Sequence, residues 1–347
     1  MTLPPLSVPP LDPTPIFECF RGHYGTELLT AAVAHFRVFE HLAKGARSFD
    51  ALRGDLGLTE RPAVVLLTAL RAMGLLAIDS AGRLELTALS REFLVGPPFD
   101  ISGYIGLNAD SPGVLGMVER LRTDRPAGMK PEESGTAFIY REGVASAMEK
   151  EAEARRLTLA LAGRARNVAP VMAGRVPLTE ARVLLDVGGG TGLFSIAFLR
   201  ANPELRAIVW DRPEVLKVAA EMAATHGVGD RLECRPGDMF ADEVPAADVM
   251  LLSNVLHDWD VPRCQELIGR CAAALAPGGR LLIHDVFLND ALDGPLPLAL
   301  YSAALFCMTE GRAYSAAEYR GWLTAAGLEP KTVIPTLVHC GVLPAEK

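Results

Sequence analysis

The sequence is poor in aromatic side chains, 6% of its residues, and has no apolar run long enough to cross a bilayer. Such a span needs about 20 apolar residues. The longest charge-free stretch beyond the N-terminal tail, Gly294 to Thr309, is shorter and broken by prolines. A membrane partner is therefore not expected. Basic excess is also missing: the formal charge is −8, which speaks against nucleic acid and against acidic membrane surfaces. The six cysteines, Cys19, Cys234, Cys264, Cys271, Cys307 and Cys340, include no C-x-x-C pair. Free thiols in a reducing cytoplasm fit better than bridges or a zinc site. Met1–Pro15 holds six prolines and no Lys or Arg, which fits neither a signal nor a transit peptide and reads as an extended or disordered arm. A cytoplasmic protein is expected.

What is present is a glycine-rich turn around which the chain is organised. Leu184-Leu185-Asp186-Val187 favours a buried strand ending near a carboxylate, Gly188 to Gly192 follows, and Leu193 to Leu199 restarts the apolar pattern at helical spacing. That is strand, tight loop, helix. Glycine serves there because the backbone must turn sharply and a ligand must lie against the main chain. A dinucleotide fold asks for G-x-G-x-x-G, whereas Gly188, Gly190 and Gly192 give G-x-G-x-G with Leu193 at the third dinucleotide position. A nucleotide-like ligand is expected, and the spacing weakens the reading of a pyrophosphate site.

Two further strand ends agree. Leu205 to Asp211 is an apolar strand closing on an acid, and Asp211 can accept hydrogen bonds from both hydroxyls of a ribose. Leu232 to Phe240 ends in Gly237-Asp238-Met239-Phe240. There Asp238 can take an exocyclic amine while Met239 and Phe240 offer polarisable, flat contact to an adenine. One strand-end acid can be a helix cap. Three in succession point to one ligand at the carboxyl edge of a parallel sheet.

Leu185–Gly192, Asp211, Gly237–Phe240, Leu256-His257-Asp258-Trp259 and Pro277-Gly278-Gly279 together resemble the S-adenosylmethionine-dependent O-methyltransferases of the caffeate and hydroxyindole type, including bacterial natural-product members. The resemblance covers nearly the whole chain. It implies S-adenosylmethionine as methyl donor, an aromatic small molecule as acceptor, a homodimer, and an α/β fold: a C-terminal Rossmann-like class I methyltransferase sheet with helices on both faces, plus a mainly α-helical N-terminal winged-helix dimerisation domain.

The expected division is an arm over 1–15, the winged-helix domain over 16–100, a helical connector over 101–178 that contributes to the acceptor pocket, and the catalytic domain over 179–347. Thr14-Pro15 starts a broad apolar helix, Ser48 caps a short one, and Thr59-Glu60-Arg61-Pro62 caps a longer one. Leu75–Ile78 and Arg83–Thr87 read as a hairpin about Asp79–Gly82. Helix, turn, helix, hairpin also suits a ligand-responsive DNA-binding regulator. However, Arg53, Arg61 and Arg71 are balanced by Asp50, Asp55 and Glu60, whereas a helix meant for phosphates should be basic. In the connector, a helix over about 143–168 carries Glu151 and Arg155 at i,i+4 and an inner stripe of Met148, Ala152, Leu159 and Ala162.

From Thr179 onward, strands at 182–187, 206–210, 231–235, 247–252 and 280–285 alternate with helices at 193–200, 213–225 and 262–275. Ser315 to Glu318 is a capping-box start for another helix, stopped by Gly327. Segments 329–335 and 336–342 add an edge hairpin, as the resemblance implies.

The fourth strand ends in Ser253-Asn254-Val255-Leu256-His257-Asp258, which puts an imidazole beside the ligand edge. The resemblance makes His257 the general base. Asp258 is expected to support the loop or the cofactor side, and no metal is expected because few ligands converge there. Asp285 occupies the family position for an acid orienting the base, and His284 alternates to the opposite face. The second family acid falls at Ala313, so either Asp285 alone holds the base or Glu310 reaches in. Ser253 stands where plant relatives have a cofactor-contacting Lys. The cofactor set is Asp186, Gly188, Gly190, Asp211, Asp238, Met239, Phe240 and Ser253. These departures leave one enzymatic alternative, a member that keeps S-adenosylmethionine but decarboxylates, hydroxylates, or methylates carbon or nitrogen.

Overall fold

A computed structural model describes residues 6–125 and 151–347. Within them the chain forms two compact units, one holding the N-terminal stretch to Phe17 with Ala316–Lys347 and the segment ending at Phe287, the other running from Glu18 and including Leu288–Ser315. Met148 lies outside the described residues, as do the side chains of Glu151 and Ala152.

Helix α1 (Thr14–Arg21) is followed by α2 (Gly25–Thr30), which continues as a π-helical turn over Ala31–His35, and by α3 (Val38–Ala43), α4 (Phe49–Leu56) and α5 (Glu60–Ala72). Ser48 caps α4, its hydroxyl accepting from the Ala51 N–H at 3.2 Å, and Gly57 ends it in the left-handed conformation that a Cβ disfavours. Thr59 stands at the start of α5 without capping it through its side chain; its hydroxyl donates to Asp124 Oδ2 at 3.1 Å. Strands β1 (Leu76–Ile78) and β2 (Leu84–Leu86) pair antiparallel, the Asp79 carboxylate holding the turn by accepting from the Ala81 and Arg83 N–H groups at 2.8 and 2.9 Å. Helices α6 (Ala88–Phe93), α7 (Ser102–Gly106) and α8 (Pro112–Thr123) complete this N-terminal run. The three arginines of α4 and α5 have protein partners, Arg53 at the surface and Arg61 and Arg71 largely buried. Arg53 pairs with Asp50; Arg61 bonds Asp124 and the carbonyls of Thr309 and Gly311; Arg71 bonds the carbonyls of Ala291 and Leu292. A phosphate-binding helix needs such cations free.

Helix α9 (Glu151–Arg175) runs beyond Val168 through Pro170, and Arg155 pairs with Glu221 at 2.7 Å. Then come β3 (Val183–Val187), α10 (Leu193–Ala201), β4 (Arg206–Asp211), α11 (Pro213–Thr225), β5 (Leu232–Pro236), β6 (Ala247–Ser253), α12 (Val261–Ala274), β7 (Leu275–Leu288), α13 (Leu296–Met308), β8 (Tyr314–Ser315), α14 (Ala316–Ala325), β9 (Glu329–Pro330), β10 (Ile334–Pro335) and β11 (Cys340–Glu346). The sheet order is β10-β11-β7-β6-β3-β4-β5, with β3 to β7 parallel and β11 antiparallel to β7. The final hairpin is displaced from the expected 336–342, because Val338 and His339 turn the chain in the left-handed region and delay the strand to Cys340.

Strands buried on both faces read as continuous apolar runs, and β3 does so at Leu184, Leu185 and Val187. Its core includes Leu193, Ile196 and Phe198 of α10, Met172 of α9 and Leu216 of α11. In the other unit, α13 packs on α5, where Leu300, Ala303 and Phe306 join Leu66, Leu67 and Leu70. Among the described residues no helix is long and apolar enough to cross a membrane.

Candidate active site

Strand order reverses between β3 and β6, and the crevice beyond the carboxyl ends of such strands is where doubly wound sheets bind ligands. The glycine loop leaves β3 at that point. Gly188, Gly190 and Gly192 all have φ between 59° and 68°, which L side chains rarely adopt. The Gly190 N–H donates to Asp211 Oδ2 at 2.9 Å, tying the loop to the end of β4, while Asp211 Oδ1 accepts from the Arg212 N–H at 2.7 Å. Each carboxylate oxygen has a second lone pair for a ligand hydroxyl. Among the described residues, a Cβ at Gly190 would meet nothing within 4 Å, which leaves room on the outer side of the loop.

Asp186 lies beneath this loop, fully buried. Its Oδ2 accepts from the Ser195 hydroxyl at 2.8 Å, and Oδ1 has no hydrogen-bond partner among the described residues. Burial pushes its carboxyl up to about 7, with the Ser195 hydroxyl opposing and the Asp211 charge adding to the rise. A buried acceptor without a donor is costly. An open glycine cradle above such a carboxylate fits a cationic amino-acid nucleoside such as S-adenosylmethionine.

The loops after β5 and β6 converge on the same cradle. Met239 Cε and Val255 Cγ2 lie 3.7 and 3.1 Å from where a Cβ on Gly188 would stand. Asp238 is exposed and closes a local turn, accepting from the Phe240 N–H at 2.8 Å. The Phe240 ring meets Trp259 edge-on at 4.6 Å, and the Arg263 guanidinium covers it at 4.7 Å. Ser253 Oγ bonds His284 Nδ1 at 2.8 Å. His284 is buried and pushed down to about 3 by that burial, a neutral structural ring on the face opposite Asp285.

His257 sits in a 3₁₀ turn, Leu256–Asp258, beyond β6. Its Nδ1 lies 2.6 Å from Asp285 Oδ1, and both residues are buried. Asp285 Oδ1 also accepts from the Val286 N–H at 2.8 Å, and Oδ2 accepts from the Tyr319 hydroxyl at 3.3 Å. Burial alone raises the Asp285 carboxyl. The His257 ring, its hydrogen bond and the Val286 N–H outweigh that and hold it below its ordinary value. Asp258 Oδ1 is 3.8 Å from His257 Nε2, an ion-pair distance rather than a hydrogen bond.

Glu310 belongs to the other unit, half-buried in the bend after α13, and Ala313 is fully buried with its N–H donated to Ser302 Oγ at 3.2 Å. Sequence reasoning missed Tyr319. Its only signal was a place inside the capping-box helix α14.

A family model described as an O-methyltransferase domain matches residues 135–329. The 3-hydroxy-5-methyl-1-naphthoate 3-O-methyltransferase of Streptomyces sahachiroi is 36% identical over 326 residues, 92% of this chain and 91% of that protein. Acetylserotonin O-methyltransferase of Bos taurus is 30% identical over 323 residues, 89% of this chain and 90% of that one. Among solved structures, an O-methyltransferase family 2 protein from Planctomyces limnophilus DSM 3776, in complex with apigenin, matches with a TM-score of 0.89 at 48% identity, covering 100% of both chains.

Proposed function

The chain belongs to the O-methyltransferase family and is an S-adenosylmethionine-dependent enzyme, and from that premise we propose that it methylates a hydroxyl of a flat, flavone-like polyphenol with His257 as general base. The observation that carries the base assignment is the 2.6 Å contact between His257 Nδ1 and the buried Asp285 carboxylate. A carboxylate only accepts, so Nδ1 carries the hydrogen and Nε2 keeps the basic lone pair. S-adenosylmethionine, when bound, supplies a methyl on a sulfonium whose leaving group is already activated. What remains for the chain is alignment of the acceptor and removal of its proton. A phenol titrates near about 10 and an imidazole near about 6.5, so the transfer must accompany oxygen attack; such a base contributes roughly 10² to 10⁴ in rate. As the acceptor oxygen bonds to carbon, Nε2 takes the hydroxyl proton and Asp285 stabilises the resulting imidazolium.

The donor would be held by the glycine loop at Gly188 and Gly190 and by Asp186 beneath it, with Asp211 available to its ribose hydroxyls, Asp238, Met239 and Phe240 to its adenine, and Ser253 at the end of β6. Asp258 supports the loop, and Glu310 is a further candidate for the acceptor side. Support for the acceptor class is the apigenin bound by the Planctomyces limnophilus protein. The enzyme acts as a homodimer through its N-terminal unit, a reading supported by the exposed apolar side chains Phe20, Phe99, Ile101, Tyr104 and Leu107.

The test is turnover of apigenin and related flavones with the donor, followed by mass spectrometry. We expect a product heavier by one methylene, and a His257→Ala enzyme slower by roughly 10² to 10⁴ that still binds S-adenosylhomocysteine. Undiminished turnover by that variant sinks the base assignment. No product from any flavone sinks the acceptor class.

A further inference from the structure

Tyr319 is fully buried on α14, and its hydroxyl donates to Asp285 Oδ2 at 3.3 Å. Buried tyrosine hydroxyls find partners. This one has found the carboxylate whose other oxygen holds the His257 ring. The two oxygens of Asp285 are thus fixed from different elements: Oδ1 by the Val286 N–H of β7, Oδ2 by a side chain of α14. The Tyr319 ring is itself clamped, edge-on to Phe287 at 5.7 Å and to Trp322 at 5.3 Å. A side chain so held can fix a carboxylate plane, and a carboxylate plane fixes the ring that bonds it.

We propose that Tyr319 is a positioning residue of the methyl-transfer site, completing a Tyr319–Asp285–His257 chain that sets both the direction and the strength of the base. This rests on the reading of His257 as base. Two effects follow. Two donors on separate oxygens prevent the carboxylate from rotating, so Oδ1 stays on Nδ1 and Nε2 keeps its heading. The hydroxyl also draws part of the negative charge of Asp285 toward itself, leaving less to stabilise an imidazolium. Among the described residues, charged or titratable groups around His257 and Asp285 include Asp258, 3.8 Å from Nε2, His284 on the neighbouring strand position, and Arg164 of α9. None of these is altered by removing one oxygen from Tyr319.

The test is Tyr319→Phe, which keeps the ring and its edge contacts. Two quantities are read: the ascending limb of the pH profile of kcat/KM, and the titration midpoint of the His257 ring by nitrogen-15 NMR in the protein without ligand. With its charge no longer shared, Asp285 stabilises the imidazolium more, so both the limb and the midpoint move to higher pH. The kcat plateau falls about tenfold as alignment is lost, with KM for donor and acceptor unchanged. If limb and midpoint both stay where they are, Tyr319 only packs and the proposal is overturned. A 3-fluorotyrosine at 319 is a stronger donor and must move both to lower pH; an unmoved limb there overturns the proposal equally, even if the Phe variant fails to fold. His257→Ala separates the two readings. Full activity in that variant removes the base itself, whereas an inactive one beside an unmoved Tyr319→Phe limb removes only the role of Tyr319.

Discussion

Asp285→Asn isolates what charge, as distinct from geometry, contributes to the base. Asp285 Oδ1 receives two donors, His257 Nδ1 at 2.6 Å and the Val286 N–H at 2.8 Å. An amide NH₂ in that place would face the fixed Val286 N–H, donor against donor. The asparagine therefore turns its carbonyl toward His257 and its NH₂ toward Tyr319, whose oxygen can accept. The tautomer of His257 is kept and only the negative charge is lost. For charge centres about 4 Å apart at an effective dielectric of about 20, that charge is worth about 4 kcal/mol. The imidazolium exists only after proton transfer, so the loss falls on the transition state: kcat should drop about 10³-fold with KM little changed. The ascending limb of the pH profile should move to lower pH, because an imidazolium without its counter-charge gives up its proton more readily. Steady-state kinetics across pH, with calorimetric titration of S-adenosylhomocysteine as control, make the measurement. A variant within about threefold of wild type, or one whose limb is unmoved, would refute the reasoning.

Two further outcomes follow from the glycine cradle. The Asp186 carboxyl is pushed up to about 7 by burial, against about 3.9 unfolded. The native state therefore binds the extra proton between those values, and stability falls as pH rises through that window, levelling off above it. Asp186→Asn removes the effect, so in unliganded protein its stability relative to wild type should grow from pH ~5 to pH ~8 by roughly 3 kcal/mol, read from urea melts; a constant difference would contradict it. Gly189→Ala puts a Cβ 2.7 Å from Asp186 Cγ and 2.9 Å from its Oδ2, a steric cost of about 1–3 kcal/mol. Thermal melting should drop by several degrees and S-adenosylhomocysteine affinity should weaken; unchanged values in both assays would mean the loop absorbs the methyl.

Local chemistry made much of this protein readable in advance. Helix α11 begins and ends at the expected Pro213 and Thr225 because proline starts it and its apolar face repeats at helical spacing. The β1–β2 turn follows from the reach of one aspartate. Asp285 and His284 separate onto opposite faces because strands alternate, which is why the acid rather than the neighbouring imidazole meets His257. Features that depend on distant chain were not readable. Arg155 pairs with Glu221 of α11, far along the chain, while the side chain of its expected neighbour Glu151 lies outside the described residues. Strand β7 starts at Leu275, ahead of Pro277-Gly278-Gly279, because Gly278 at a φ of 73° lets the strand pass through residues that look like punctuation. The Tyr319 hydroxyl reaches Asp285 only because α14 returns against the end of β7.

The departure of the chain from the sheet after β7 has a bearing on inheritance. Leu288–Ser315 leaves to lay α13 on α5, burying Leu300, Ala303 and Phe306. A hybrid gene that exchanged only the first hundred or so codons would therefore marry one ancestor's α5 to another's α13, and that seam must mesh for the recombinant to fold. Variation on this side of the protein has to travel as two separated cassettes, so lineages should diversify by paired substitution across the seam rather than by wholesale swapping.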